Sequence, residues 1–524
     1  MTNSVDDEQR SKTPDRCSIR STQRDFHAYQ LSLFLVTQLG YLPAAGSLLS
    51  TTFFEPNLGY CNGEIETVEF YSLLIEWNSH CKSSAWTIII SSFVMLGAVV
   101  GAFISGFLAD SFGRKPVVVG AMIIMCIGNA LLAGFGHLTP YLSTIIFFVI
   151  GASCGGYMVT NLVLMIENLE HAKSRLLVVS LNGWPIGMAY VGLVAWISKE
   201  WRTYHIIFAA TSAALFIILQ CISLESVRWL IHQKRIRRAD KIQLQIDARN
   251  FRVNELLPKI MQSQEFERAK TPSLMEIEKK ERLLDQKISK NKNRKLTYFD
   301  LFRHSSVRKP LLALCYCFAT SSVVSFGFYF SVEALPGSRY LNLAAMGLLK
   351  FGLGFLPFLV SYFVGRRPII LTSVGVACIS IWIYLGFSLG LNLSKHWIIT
   401  FLGLLITASI DPTWKINHLY SAELFPTTVR NMSRAVCNVG ARLGSLAAPL
   451  IVYSRQWFTE TPIIVFAIML TIQWGIVFFV FPETKDRPLP EEISDDEDDE
   501  IVLSRRDERE DRSEERRVGK DTGK

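Results

Sequence analysis

The chain has 524 residues, half of them hydrophobic and 19% charged, with a formal net charge of +8 at pH 7 and a mean hydropathy of +0.27. A water-soluble chain of this length would divide into several cores with amphipathic patterning; long apolar runs broken by short polar clusters exclude that class. The basic residues gather between the apolar runs, where membrane orientation signals belong, and this argues against nucleic acid as a partner.

Residues 1–28 form a polar tail carrying Arg10, Lys12, Arg16, Arg20 and Arg24, without the short apolar core of a cleavable signal. Apolar runs long enough to cross a bilayer of ~30 Å then predict helices. Six fall near Tyr29–Phe54, Ala85–Leu108, Pro116–Ala133, Tyr141–Leu164, Leu177–Ile197 and Ile206–Ile222. Six more fall near Pro310–Val332, Leu341–Val364, Ile369–Leu389, Trp397–Leu419, Ala435–Tyr453 and Pro462–Val480. The organisation read from this is a tail 1–28, a six-helix bundle 29–230, a polar central loop 231–308, a second bundle 309–484 and a charged tail 485–524. The central loop reads as solvated helices and the acidic run Glu491–Glu500 as disordered.

Of the ten cysteines, Cys126, Cys154, Cys221, Cys315, Cys317 and Cys378 lie in apolar runs, and no C-x-x-C or metal-ligand spacing exists. Cys61 and Cys81 share the first polar loop and are candidates for an external disulfide, the alternative being two free thiols. With the amino terminus inside, 45 of the 54 Lys and Arg fall on inner segments and 6 on outer loops, so both chain ends are expected in the cytoplasm.

The chain repeats itself. Gly113-Arg114 recurs as Gly365-Arg366, Glu167 with Arg175 as Glu423 with Arg430, and Glu225 with Arg228 as Glu483 with Lys485, at offsets of 252, 256 and 258 residues. Two parallel six-helix halves that rock around a midplane site follow from such a repeat.

The fullest motif is Gly106-Phe-Leu108-Ala-Asp110-Ser-Phe-Gly113-Arg114-Lys115. It resembles the signature between the second and third helices of major facilitator transporters. Its physical reading is a gate: glycine permits close helix approach, and Asp110 at a helix end meets a cation or a helix dipole. The bland alternative is charge anchoring by Arg114 and Lys115. Further segments, Ile75-Glu76-Trp77, Leu224–Leu230, Asp300–Arg303, Ala422–Asn431 and Pro482–Pro490, resemble the organic cation, anion and zwitterion transporters, one branch of that superfamily, over residues 70–495. The resemblance implies an all-α twelve-helix fold and alternating-access transport of amphiphilic organic ions without ATP hydrolysis, at the plasma membrane and without a cofactor. It also implies gating roles for the repeated residues above. The first external loop is shorter than the branch's usual ectodomain and leaves Asn392 as the outer glycosylation candidate. A fourth-helix arginine of the branch is Phe147 here, the aspartate of the second gate copy is Tyr362, and an acidic eighth-helix residue is Lys350.

Charges within spans demand a reason. Asp411 and Lys415, four apart, read as a self-neutralising pair. Arg442 stands where the resembled organic anion carriers hold an arginine, suited to a carboxylate or sulfate; snorkelling to the surface is the alternative. Lys350, one turn before Gly354 where those carriers hold a lysine, could face the same cavity. Trp196 and Phe326 are aromatic candidates for the substrate's flat surface, with packing or lipid contact as the alternative. An organic anion carrier is thus the favoured function; a cation or carnitine-like zwitterion carrier, and a non-transporting scaffold or receptor, are the alternatives. No nucleophile–base set, metal cluster or phosphate loop suggests an enzyme.

Overall fold

The computed structural model describes residues 27–56, 68–79, 85–169, 172–254, 298–361, 363–390, 397–426 and 429–485. Cys61, Cys81, Tyr362, Asn392, most of the central loop and both tails lie outside them.

Twelve helices of 20–28 residues are apolar enough to cross a membrane, and at 1.5 Å per residue each reaches about 30 Å or more. The first six are α1 (Ala28–Phe53), α2 (Ala85–Phe112), α3 (Arg114–Phe135), α4 (Pro140–Glu167), α5 (Leu177–Ser198) and α6 (Trp201–Ile222). The second six are α7 (Ser305–Phe330), α8 (Arg339–Val360), α9 (Arg366–Leu389), α10 (Trp397–Ser421), α11 (Met432–Gln456) and α12 (Thr461–Val480).

The count matches the sequence reading, and the ends depart from it for physical reasons. Helix α6 begins at Trp201, five residues before the apolar run, because Trp201, Tyr204 and His205 are buried in the bundle although they interrupt its hydropathy. Helix α7 begins at Ser305, so Pro310 lies inside the helix instead of opening it.

Helices α2 and α4 cross with their backbones in contact. A Cβ at Gly97, Gly101, Gly151 or Gly155 would lie within 2.1 Å of a carbonyl oxygen of the facing helix, the close approach that small residues permit when lipid supplies no hydrophobic drive. Gly106 of the gate motif has no such role: a Cβ there would meet open space.

The two halves pack along α5 against α8 and α2 against α11. Glycines again set the distance, with Gly192 against the carbonyl of Tyr340 and Gly347 against that of Pro185. Exposed side chains such as Phe103, Phe107, Ile145, Leu348 and Phe479 cover the outside of the bundle, where lipid tails replace water as their neighbours.

Two helices of the central segment, Val227–His232 and Ile236–Asn254, lie at the end of the bundle that carries the repeated motifs. The second ties α1 to α6: Arg249 donates to the carbonyl of Ile222, and the side-chain oxygen of Asn250 accepts from the backbone N–H of Tyr29. It is the part of the central loop, read as solvated helices, that the described residues include.

Candidate substrate cavity and gates

At the basic end of the first half, Gly113 has φ +113°, and a Cβ on it would meet a Glu225 carboxylate oxygen at 2.3 Å. This glycine is therefore required by its backbone angle and by crowding. The turn it makes exposes the first N–H groups of α3. Glu225 Oε1 accepts from Arg114 N at 2.8 Å, Lys115 N at 3.2 Å and Ser226 N at 2.9 Å, placing an anion on the positive end of the helix dipole.

Arg114 then turns its guanidinium to Glu167. Its Nε lies 3.2 Å from both carboxylate oxygens and its Nη2 3.0 Å from Oε1. Its Nη1 reaches the carbonyl of Ala109 at 2.7 Å and Asp110 Oδ1 at 3.0 Å. The Asp110 side chain is 76% exposed, and its partner is Arg114 of the next turn. The Asp110 carbonyl accepts from Trp229 and Gln233. Lys115 Nζ donates to the Gln220 carbonyl, and Arg175 and Arg228 converge on the carbonyl of Leu169 at the end of α4.

The second half repeats this geometry. Glu483 accepts from Arg366 N, Arg367 N, Thr484 N and Lys485 N at 2.8–3.1 Å. Burial alone would raise its carboxyl; the backbone N–H groups of Lys485, Arg366, Arg367 and Thr484 outweigh that and hold it below the usual value. Gly365 leaves the space this carboxylate fills. Arg366 faces Glu423 at 3.6 Å, Thr484 Oγ1 bonds Glu423 at 2.6 Å, and Arg430 donates to the Phe425 carbonyl. Each cluster closes within its own half.

The opposite end is sealed across the halves. Arg339, at the start of α8 and 2% exposed, donates to Glu69 at 3.2 Å and to the Glu55 carbonyl at 2.8 Å, and Tyr340 Oη donates to the Glu69 carbonyl. The Tyr340 ring stacks on Phe53 of α1. Beside this seam Glu333 pairs with Arg455 at 3.1 Å. Burial raises its carboxyl to about 6, with Arg455 pulling it down and nearby Glu55 pushing it up. A raised acid stabilises the folded seam in its protonated form. That contribution is full below pH about 4.5 and is lost as pH rises through about 6. Thermal unfolding of the purified protein is expected to show this loss between those pH values, and Glu333→Gln is expected to flatten it; an unchanged pH profile in the variant would assign the dependence elsewhere.

Between the two ends, Gln38, Tyr41, Leu162, Val178, Val179 and Asn182 of the first half face Trp414, Lys415 and His418 of α10 across a small cavity. The first half brings no charge to it, because its spans carry Asp, Glu, Lys and Arg only at their ends. Phe147 is fully buried between Phe54 and His205, and His205 bonds Asn129, which bonds Ser47.

The second half brings the charges. Lys350, Asp411 and Lys415 are 3%, 6% and 2% exposed. Asp411 Oδ1 lies 3.8 Å from Lys350 Nζ, and Oδ2 lies 3.8 Å from Lys415 Nζ. Lys350 also donates to the Thr407 carbonyl at 3.3 Å and sits 5.4 Å from the Tyr329 ring centre. Asp411 and Lys415 are thus not a self-contained pair, contrary to the sequence reading: Lys350 points inward from α8 and shares the carboxylate. Gly354 makes the room, since a Cβ there would meet Asp411 Oδ2 at 2.2 Å and Lys415 Cε at 3.6 Å.

Arg442 lies within electrostatic reach of Tyr41 and His418, and among the described residues no carboxylate pairs with it. Phe326 meets Trp184 of the other half, with ring centres 6.0 Å apart. Trp196 is 58% exposed on the outside of α5. One turn earlier Gly192 packs on α8, so residue 196 comes round to the lipid side, and the aromatic that reaches the interface is Trp184. Sequence reasoning missed Trp184, Tyr41 and His418; the spacing of Trp414, Lys415 and His418 at i, i+1 and i+4 was the available signal for the last.

Residues 46–495 match the family model described as sugar (and other) transporter. The chain belongs to this family. The transporter's curated relatives include the organic cation transporter protein of Drosophila melanogaster, 25% identical over 81% of this chain and 74% of that protein. Solute carrier family 22 member 2 of Rattus norvegicus is 28% identical over 84% and 74%, and member 15 of Xenopus tropicalis 29% over 81% and 75%. The resemblance to the organic cation, anion and zwitterion branch of the major facilitator superfamily is thereby borne out. Among solved structures, the proton:xylose symporter XylE bound to 6-bromo-6-deoxy-D-glucose superposes on the transporter with a TM-score of 0.61 at 17% identity, over 88% of this chain and 98% of that one. That likeness shows the fold: a multi-pass membrane protein built as a major facilitator.

Proposed function

We propose that this protein carries organic anions across the plasma membrane by alternating access, with its basic face and both chain ends in the cytoplasm. The observation that carries the anion reading is the charge balance of the cavity. Its surroundings hold Lys350, Lys415 and Arg442 against the single carboxylate of Asp411, which two lysines already flank. Excess positive charge held away from water favours an anionic ligand. The planar fork of Arg442 suits a carboxylate or sulfate, while Tyr41, Trp184 and Phe326 offer ring surface for an organic body.

The relatives' names include organic cation transport. A cation in this cavity would have to displace lysine from Asp411, the one mid-span carboxylate among the described residues. The Arg339–Glu69 seam and the Arg114 and Arg366 clusters supply contacts at the two ends whose making and breaking would bias the closed and open states. The distribution of 45 basic residues against 6 supports the orientation.

Uptake of a panel of labelled organic anions and cations into cells expressing the protein tests this. Saturable anion uptake with little cation uptake is the expected result. Cation uptake in preference to anion uptake would overturn the anion reading, and no uptake by surface-delivered protein would overturn transport itself.

A further inference from the structure

Asp411 is the most exceptional charge in the molecule. It lies near the middle of α10, is 6% exposed, and stands between two lysines from different helices. A carboxylate that served only to neutralise buried lysines would be expected to hold them by direct hydrogen bonds, since loose burial forfeits the Coulomb gain that offsets desolvation. Instead both nitrogens stand 3.8 Å away, and buried Oδ2 has no hydrogen-bond partner among the described residues.

The two lysines also differ. Lys350 has a second anchor in the Thr407 carbonyl and faces the Tyr329 ring. Lys415 lines the cavity, beside His418 and opposite Tyr41. One lysine is fixed to the scaffold, and the other is tied to Asp411 and open to the cavity.

We propose that Asp411 is an internal stand-in for the substrate's anionic group. In the empty carrier it partly neutralises Lys415 and Lys350; when an organic anion enters, the ligand takes Lys415 and Asp411 remains with Lys350. This deepens the anion reading and rests on it. Two consequences follow. Asp411 competes with the ligand, so apparent affinity is lowered by the fraction of time Lys415 is held. Asp411 also lets the empty carrier pass through its closed state without two uncompensated buried lysines, so the protein can return unloaded and carry out net uptake as well as exchange.

The test is Asp411→Asn, which keeps the shape and removes the charge. The expected result is an anion KM lowered about tenfold, the value for a lysine held nine-tenths of the time. Net uptake into unloaded cells should slow strongly, while uptake into cells preloaded with the same anion is preserved. A merely structural role would depress both flux modes together and leave KM unchanged. The double variant Asp411→Asn/Lys350→Met restores the charge balance, and covers the case in which the single variant does not reach the surface; it too is expected to lower KM.

An unchanged or raised KM in surface-delivered protein overturns the proposal while leaving the anion reading intact, provided the wild type takes up anions. A wild type that takes up no anion removes both.

Discussion

Arg442→Asp is expected to abolish organic anion uptake while the protein still reaches the cell surface. Arg442 is the cavity cation with no acidic partner among the described residues; its electrostatic neighbours are Tyr41 and His418. Removing it leaves no buried carboxylate orphaned, so the fold loses little. The ligand loses its partner and meets a like charge. Truncating one member of a desolvated charge pair costs about 2–5 kcal/mol, which is about thirtyfold or more in uptake efficiency; reversal of the charge adds repulsion. Arg442→Lys separates charge from geometry, because lysine keeps the charge and loses the bidentate fork, and an intermediate loss is expected there. Radiolabelled uptake normalised to surface-biotinylated protein reads both. Full anion uptake by Arg442→Asp would return Arg442 to a structural role.

Arg114→Ala is expected to be far more damaging than Arg366→Ala, although the two occupy matching places in the repeat. Arg114 is held by both oxygens of Glu167, by Asp110 and by the Ala109 carbonyl, and the arginine and Glu167 side chains are 12% and 20% exposed. Removing it strands a largely buried carboxylate, at about 3 kcal/mol or more. Arg366 faces Glu423 at 3.6 Å in a single contact, and Glu423 keeps a hydrogen bond from Thr484; about 1 kcal/mol is expected there. Thermal denaturation of the purified variants, alongside maximal uptake rate, measures the difference. Equal losses would mean that the two clusters share the gating work evenly despite their unequal bonding.

The asymmetry between these clusters was half legible in the sequence. The motif Gly106–Lys115 and its partial copy at Gly365-Arg366 announced a repeat, because the chemistry of a helix-end carboxylate cluster needs particular residues at short spacing. That Glu225 and Glu483 each cap the helix opening the next span was not legible. The capping partners lie more than a hundred residues apart in the chain, and pairing over that distance is decided by packing. The same limit explains Trp196 and Trp184. Both are aromatic and both lie on α5, but which one faces the other half depends on the rotation of the helix, set by Gly192 and Pro185 against α8.

The sequence by itself determined the membrane class, the twelve spans, the two-fold repeat and the family. Each of these follows from local composition: apolar length against bilayer thickness, charge between spans, and motif spacing. Only the tertiary structure decided where the buried charges meet. Lys350 and Asp411 lie on different helices, 61 positions apart, and read separately they were a cation in search of a role and half of a local pair. Packing of α8 on α10, with Gly354 leaving the space, brings them together with Lys415. Hydropathy reports how much charge a helix carries, and the direction in which that charge points is a property of the assembled bundle.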